Sequence, residues 1–274
     1  MKFSIALTAL TRACLVQSQG NMIPLPGSTK PVSQRDIANL TFYSFSFAAK
    51  APILRFESTL LVPAASPDIS ANGNVQAVWP GLQTDTLLQN VLTNQGGDGP
   101  HQWGHLPFAC CSPAQNLMDG GIQVYPGDSI TNIYLWDIPA DKWLDSWAVT
   151  PGTEGSQAGE KASHGGLTFD QKSAFKPDNA QKLTPRAYDT AVLAIELQGL
   201  GTWDFGPVHW RNIVIEASTT ETEWCMGFVG SGNLDWEASA PRVNTEGSVT
   251  TCYVASFIFK APMEKVRRPL RERW

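Results

Sequence analysis

Few residues of this chain have the type and spacing to do chemistry, and Glu196 is the first of them. It sits in the run TAVLAIELQ, Thr190 to Gln198, where strict alternation puts Thr190, Val192, Ala194 and Glu196 on one face of a strand. Ala191, Leu193, Ile195 and Leu197 fall on the other face, which is continuously apolar and reads as the sheet-to-sheet core. Glu196 then stands on the opposite surface, behind two modest side chains that leave space above the sheet. Most strand glutamates are solvated carboxylates, and alone Glu196 reads as one. Gln89, in Leu87-Leu88-Gln89-Asn90-Val91, shares a strand face with Leu87 and Val91. An amide among apolar neighbours needs a partner or a ligand. Trp79 ends a strand, where an indole can wall a groove and still offer its N–H. Taken singly, each of these residues fits ordinary sheet packing.

Other chemistries find no support in the residues. HExxH, GxSxG and P-loop motifs are missing, and Gly199-Leu200-Gly201 lacks the third glycine and the helix of a dinucleotide site. His101 and His105 are four apart, a spacing that converges only on a helix, and they lie in a stretch rich in proline and glycine. No metal, no cofactor and no nucleic-acid partner is expected.

The elements that must position Glu196 and Gln89 are strands. The 274 residues are 42% hydrophobic and only 16% charged, with ten tryptophans, 23 glycines and 19 prolines, a mixture that suits a turn-rich β protein and argues against disorder or a coiled coil. Strand-like runs cover residues 39–49, 53–62, 75–79, 86–93, 145–149, 166–169 and 250–259. Ile122 to Trp136 reads as a hairpin turning at Pro126-Gly127-Asp128, and 189–217 as a second hairpin-like unit. Residues 94–121 read as one long loop. No amphipathic helix of useful length and no apolar run long enough to span a bilayer occurs. The pattern predicts an all-β, antiparallel β-sandwich or jelly roll over residues 39–259 as a single domain.

The ends read differently. Residues 1–20 resemble a secretory signal peptide, 21–38 a polar leader, and 260–274 a basic tail expected to be disordered. Asn39-Leu40-Thr41 is a glycosylation sequon, which fits a secreted surface. Cys14 leaves with the signal, and the remaining four cysteines permit three connectivities. Cys110 and Cys111 are adjacent, about 3.8 Å apart across a trans peptide and below ordinary disulfide geometry, so Cys225–Cys252 is the expected bridge.

The order Trp-x-Gly at Trp79, Leu-Gln at Leu88-Gln89, Pro-Gly-Asp at Pro126, Ile-Glu at Ile195-Glu196 and Asp-Phe-Gly-x-Val at Asp204 resembles the eqolisins, the fungal glutamic peptidases, from about Leu40 to Phe259. That resemblance implies a concanavalin-like sandwich in which Gln89 and Glu196 act together on a peptide. Glu196 would activate water and then protonate the leaving amine, while Gln89 and Trp79 would stabilise the oxyanion. The chain departs from the pattern after the glutamine, where Asn90-Val91-Leu92-Thr93 replaces the eqolisin aspartate. It departs again where Leu106-Pro107-Phe108-Ala109-Cys110-Cys111 replaces the substrate wall.

The layout WPGLQ, LLQNVL, PFACCSP, VYPGD, AIELQ and DFGPV also resembles small secreted β-sandwich proteins of fungal secondary metabolism. Among them are hetero-Diels–Alderases, which join a tropolone-derived quinone methide to a humulene-type terpene. This resemblance implies meroterpenoid biosynthesis on an apolar small-molecule substrate, without a cofactor. Such a cycloaddition needs two apolar partners held together and a hydrogen bond to the heterodiene oxygen. Trp79, Trp103, Trp136 and Trp203 are candidate substrate-binding residues, with Gln89, Glu196 and His209 for the polar part. A lectin-like glycan-binding module is the third expectation, since jelly rolls stack sugars on exposed tryptophans.

Overall fold

The computed structural model describes residues 40–64, 75–84, 86–94, 102–110, 116–117, 121–169 and 187–262. The signal peptide, leader, Asn39, Cys111 and the tail beyond Pro262 lie outside the described residues. The strands are β1 (Leu40–Ala48), β2 (Ile53–Leu61), β3 (Val75–Gln83), β4 (Leu87–Thr93), β5 (Trp103–Cys110), β6 (Asn116–Leu117), β7 (Ile122–Val124), β8 (Ser129–Asp137) and β9 (Lys142–Thr150). After a short helix α1 (Thr153–Gln157) come β10 (Ser163–Phe169), β11 (Thr190–Gln198) and β12 (Val208–Ala217). A second short helix α2 (Glu223–Met226) precedes β13 (Val229–Ser231), β14 (Leu234–Ala238), β15 (Arg242–Glu246) and β16 (Val249–Pro262).

These strands form two antiparallel sheets. The front sheet runs β13-β1-β11-β3-β4-β5-β6, with β7 also on β5. The back sheet runs β10-β9-β8-β2-β12-β16-β14, with β15 also on β16. The all-β sandwich expected from the alternation is the observed architecture. Inward-facing side chains of both sheets make one apolar core, including Phe45, Phe47, Leu193 and Ile195 from the front and Phe56, Tyr134, Trp210 and Phe257 from the back. Burying each such side chain contributes roughly 1.5–3 kcal/mol. Cys225 and Cys252 form the expected disulfide within this core, 27 residues apart.

Several expectations need correction. Ile122 to Trp136 is not a hairpin: β7 pairs with β5 in the front sheet, whereas β8 pairs with β2 and β9 in the back sheet. The Pro126-Gly127-Asp128 turn is a corner between the sheets. Gly127 has φ 83°, and both carboxylate oxygens of Asp128 accept backbone N–H groups, from Tyr125 at 2.8 Å and Gly152 at 2.7 Å. Those bonds tie the corner to the start of α1 instead of to a partner strand.

Residues 189–217 also change sheets, since β11 belongs to the front and β12 to the back. The connection is held by Gln76, whose amide donates to Asp204 Oδ1 at 2.8 Å and to the Thr202 carbonyl at 2.5 Å. Gly201 lies so close to β3 that a Cβ there would sit 2.4 Å from the Val75 carbonyl oxygen. The supposed loop 94–121 contains β5 and β6. Strand β3 also continues through Pro80 and Gly81. The strands β13 to β15, which carry little alternation, were not legible, and β16 is flanked by β14 and β15 instead of closing an edge.

Candidate functional site

The face of the front sheet turned away from the core carries a second buried apolar cluster: Ala77, Trp79, Leu87, Val192 and Ala194, with Phe42, Val75, Val91 and Phe108 packed against it. The pleat explains the membership. In β11 the even-numbered residues leave the core, and the pairing of β1, β3 and β4 with their neighbours lines up the matching positions. Trp79 lies across this face, with its ring carbon ζ3 at 3.2 Å from where a Cβ on Gly81 would stand, and it meets Phe42 edge-on at 6.3 Å. Gly81 leaves room for that ring. A larger residue there would also press on the Leu88 carbonyl.

Glu196 stands in this apolar setting and is only 5% exposed, so the reading of a solvated carboxylate on an open face is overturned. Its two oxygens each accept one hydrogen bond, Oε2 from the Trp79 indole N–H at 3.1 Å and Oε1 from the Gln198 amide at 2.5 Å. Burial pushes the Glu196 carboxyl above its ordinary pKa, and the bonds from Gln198 and Trp79 hold it back in part. The result is a carboxyl with fixed orientation and an increased tendency to keep its proton. It can donate that proton, or a hydrogen bond, to an apolar molecule lying against Trp79.

Gln89 is 4% exposed on the same face. It lies opposite Gly81, which in turn lies opposite Val192, whereas Glu196 lies opposite Ala77 and shares its row with Thr93. The offset is four residues along the strands and two strands across. At ~3.3 Å per residue this is about 13 Å along the sheet, with ~4.8 Å for each strand crossed.

The remaining candidates lie elsewhere. Trp103 is fully buried in the sandwich core against Phe205. Trp136 packs on Trp143 at the core margin, and Trp203 packs on Tyr43 and donates its N–H to the Gly206 carbonyl at 2.7 Å. His209 alternates with the buried Val208 and Trp210, so it faces away from the core on the back sheet, the opposite side of the molecule from Glu196. Only Trp79 is brought to Glu196. Sequence reasoning passed over Gln198, although it is two residues from Glu196 and therefore on the same face.

No family model and no curated protein matches the chain. Among solved structures, scytalido-glutamic peptidase with a transition state analog inhibitor is similar with a TM-score of 0.46 and 12% identity, covering 78% of this chain and 98% of that chain. Winged bean acidic lectin complexed with methyl-alpha-D-galactose is similar with a TM-score of 0.24 and 8% identity, covering 80% of this chain and 71% of that chain. At these scores the likeness carries no information about activity.

Proposed function

We propose that the chain is a cofactor-free enzyme acting on an apolar small molecule at the outer face of the front sheet, and that its reaction is a hetero-Diels–Alder cycloaddition in terpenoid assembly. The observation that carries this reading is a buried carboxyl, Glu196, fixed by Trp79 and Gln198 beside the apolar cluster of the outer face. In such a reaction three π bonds are consumed while a C–C bond, a C–O bond and one new π bond form, and no net proton or electron is exchanged. The protein's part is to hold two apolar partners together and to stabilise charge on the heterodiene oxygen. Protonated Glu196 donates to that oxygen, and the Trp79 ring and its neighbours supply the apolar wall. The disulfide and the signal-like sequence of residues 1–20 favour the secretory pathway as its setting.

A glutamic peptidase is the second reading, favoured by the presence of Gln89 and Glu196 on one buried face. A glycan-binding module has weaker support. Among the described residues the exposed tryptophan is Trp236, on β14 of the back sheet.

The deciding experiment pairs two assays on the purified full chain. Adduct formation between a quinone-methide precursor and a terpene alkene should be faster and more stereoselective with protein, and Glu196→Gln should remove the gain. Equal rates and stereochemistry with and without protein would overturn the reading. Cleavage of denatured casein between about pH 2 and 5, lost in Glu196→Gln, would put the peptidase in its place.

A further inference from the structure

The interior between the sheets holds a group of polar side chains that the proposed site does not use. Asn90 from β4 donates its Nδ2–H to Asp145 Oδ1 of β9 at 2.7 Å, across the sandwich. His105 Nε2 of β5 is 3.1 Å from Asn132 Oδ1 of β8, and the Tyr134 hydroxyl of β8 donates to the Pro80 carbonyl of β3 at 3.1 Å. Each of these contacts joins the front sheet to the back. All five polar side chains are essentially inaccessible.

The Asn90–Asp145 contact is half complete. Asp145 Oδ2 and Asn90 Oδ1 are both buried and have no hydrogen-bond partner. With Asp145 ionised both atoms are acceptors only, and two buried acceptors left without a donor are costly. The donors nearby do not relieve them: the Tyr188 hydroxyl and Asn132 Nδ2 are themselves unpartnered. A proton on Oδ2 supplies the one missing donor, and it satisfies both atoms at once.

We propose that Asp145 is a neutral carboxylic acid in the native protein and forms a two-bond acid–amide ring with Asn90, which acts as a pH-sensitive clasp between the two sheets. In the ring, Asn90 Nδ2–H donates to Oδ1 while Oδ2–H donates to Asn90 Oδ1. The groups that face Asp145 are consistent with a neutral acid. Tyr134 is directly opposite it in the β8–β9 register, Tyr188 approaches from the segment before β11, and His105 and Trp147 flank the cluster; none of them brings an adjacent cation. Burial pushes the Asp145 carboxyl up to about 7, against the pull of the Asn90 bond. Burial likewise pushes His105 down to about 4, against its bond with Asn132, so the imidazole is neutral between about pH 4 and 7 while Asp145 keeps its proton.

The sign follows from linkage. The folded pKa of Asp145 lies above its unfolded value of about 3.9, so folding takes up a proton between about pH 4 and pH 7. The clasp is complete below pH 4 in its linkage contribution and is lost as pH rises through about 7. Over that window Asp145 by itself lowers the folding constant tenfold per pH unit of increase. His105 acts with the opposite sign between about 4 and 6.5, so the contribution of Asp145 must be read by difference.

The test is Asp145→Asn in the full chain, measured by urea unfolding at several pH values. An amide at this position can form the same two-bond ring with Asn90 without a proton. The expected result is that the variant gains on wild type as pH rises, by up to tenfold in folding constant per unit between pH 4 and 7, and is the more stable of the two at pH 8. A variant that loses stability equally at pH 5 and pH 8 would overturn the proposal. Wild-type protein carrying carbon-13 at the aspartate carboxyl provides a readout that does not depend on folding of the variant. One buried aspartate should titrate near 7, and titration of every aspartate near 4 would overturn the clasp.

Discussion

Trp79→Phe separates the two roles of the indole at Glu196, its packing and its N–H. The ring fills the space over Gly81 and meets Phe42, so the smaller phenyl leaves a void that costs about 1–3 kcal/mol at any pH. The indole N–H also donates to Glu196 Oε2 at 3.1 Å, and that contribution depends on the charge of the acceptor. A hydrogen bond to an ionised group contributes about 1.5–3 kcal/mol, and one to a neutral group about 0.5–1.5 kcal/mol. Removing the N–H should therefore cost ~1–2 kcal/mol more with Glu196 ionised than with it protonated, so the loss should grow as pH rises through the raised titration of Glu196. The carboxyl, already raised by burial, should rise further once this donor is gone. Urea unfolding of wild type and Trp79→Phe across a series of pH values measures the difference directly. In a Glu196→Gln background the pH-dependent part should vanish and the packing loss should remain, which is a double-mutant cycle on the pair. An equal loss across the whole pH series, or a pH-dependent loss that survives in Glu196→Gln, would refute the assignment of the indole as the carboxylate's donor.

Two further expectations concern the frame behind the site. Gly201→Ala would bring a Cβ to 2.4 Å from the Val75 carbonyl oxygen and 3.1 Å from that of Gln198, so the crossover after β11 must shift. The expected loss is about 1–3 kcal/mol, read as a lower thermal midpoint, together with a weakened hold on Gln198 and so on Glu196. Reducing Cys225–Cys252 opens a crosslink with a sequence separation of 27, which chain-entropy reasoning values at roughly 3.5 kcal/mol. The check is the urea midpoint with and without reductant, and an unchanged midpoint would show that the bridge contributes little beyond its packing.

What the sequence by itself determined is the face each strand residue occupies. The pleat has a period of two, so the alternation in Thr190 to Gln198 separates Leu193 and Ile195 from Val192, Ala194 and Glu196 without any knowledge of the partners. The same local logic identified Gln89 with Leu87 and Val91, and chain geometry alone singled out the Cys225–Cys252 bridge. Which sheet a strand joins is not a local property. Turns such as Pro126-Gly127-Asp128 have the composition of a hairpin, and bonds donated by Tyr125 and Gly152 to the Asp128 carboxylate, with backbone bonds to Val62, hold this one as a corner. For the same reason two residues on one face can be adjacent or far apart. The β3–β4 and β3–β11 registers bring Trp79 to Glu196 and leave Gln89 four residues away. Tertiary structure also raised the pKa of the Glu196 and Asp145 carboxyls. Desolvation depends on side chains supplied by strands distant in sequence, as Phe42 is to Glu196 and Asn90 is to Asp145.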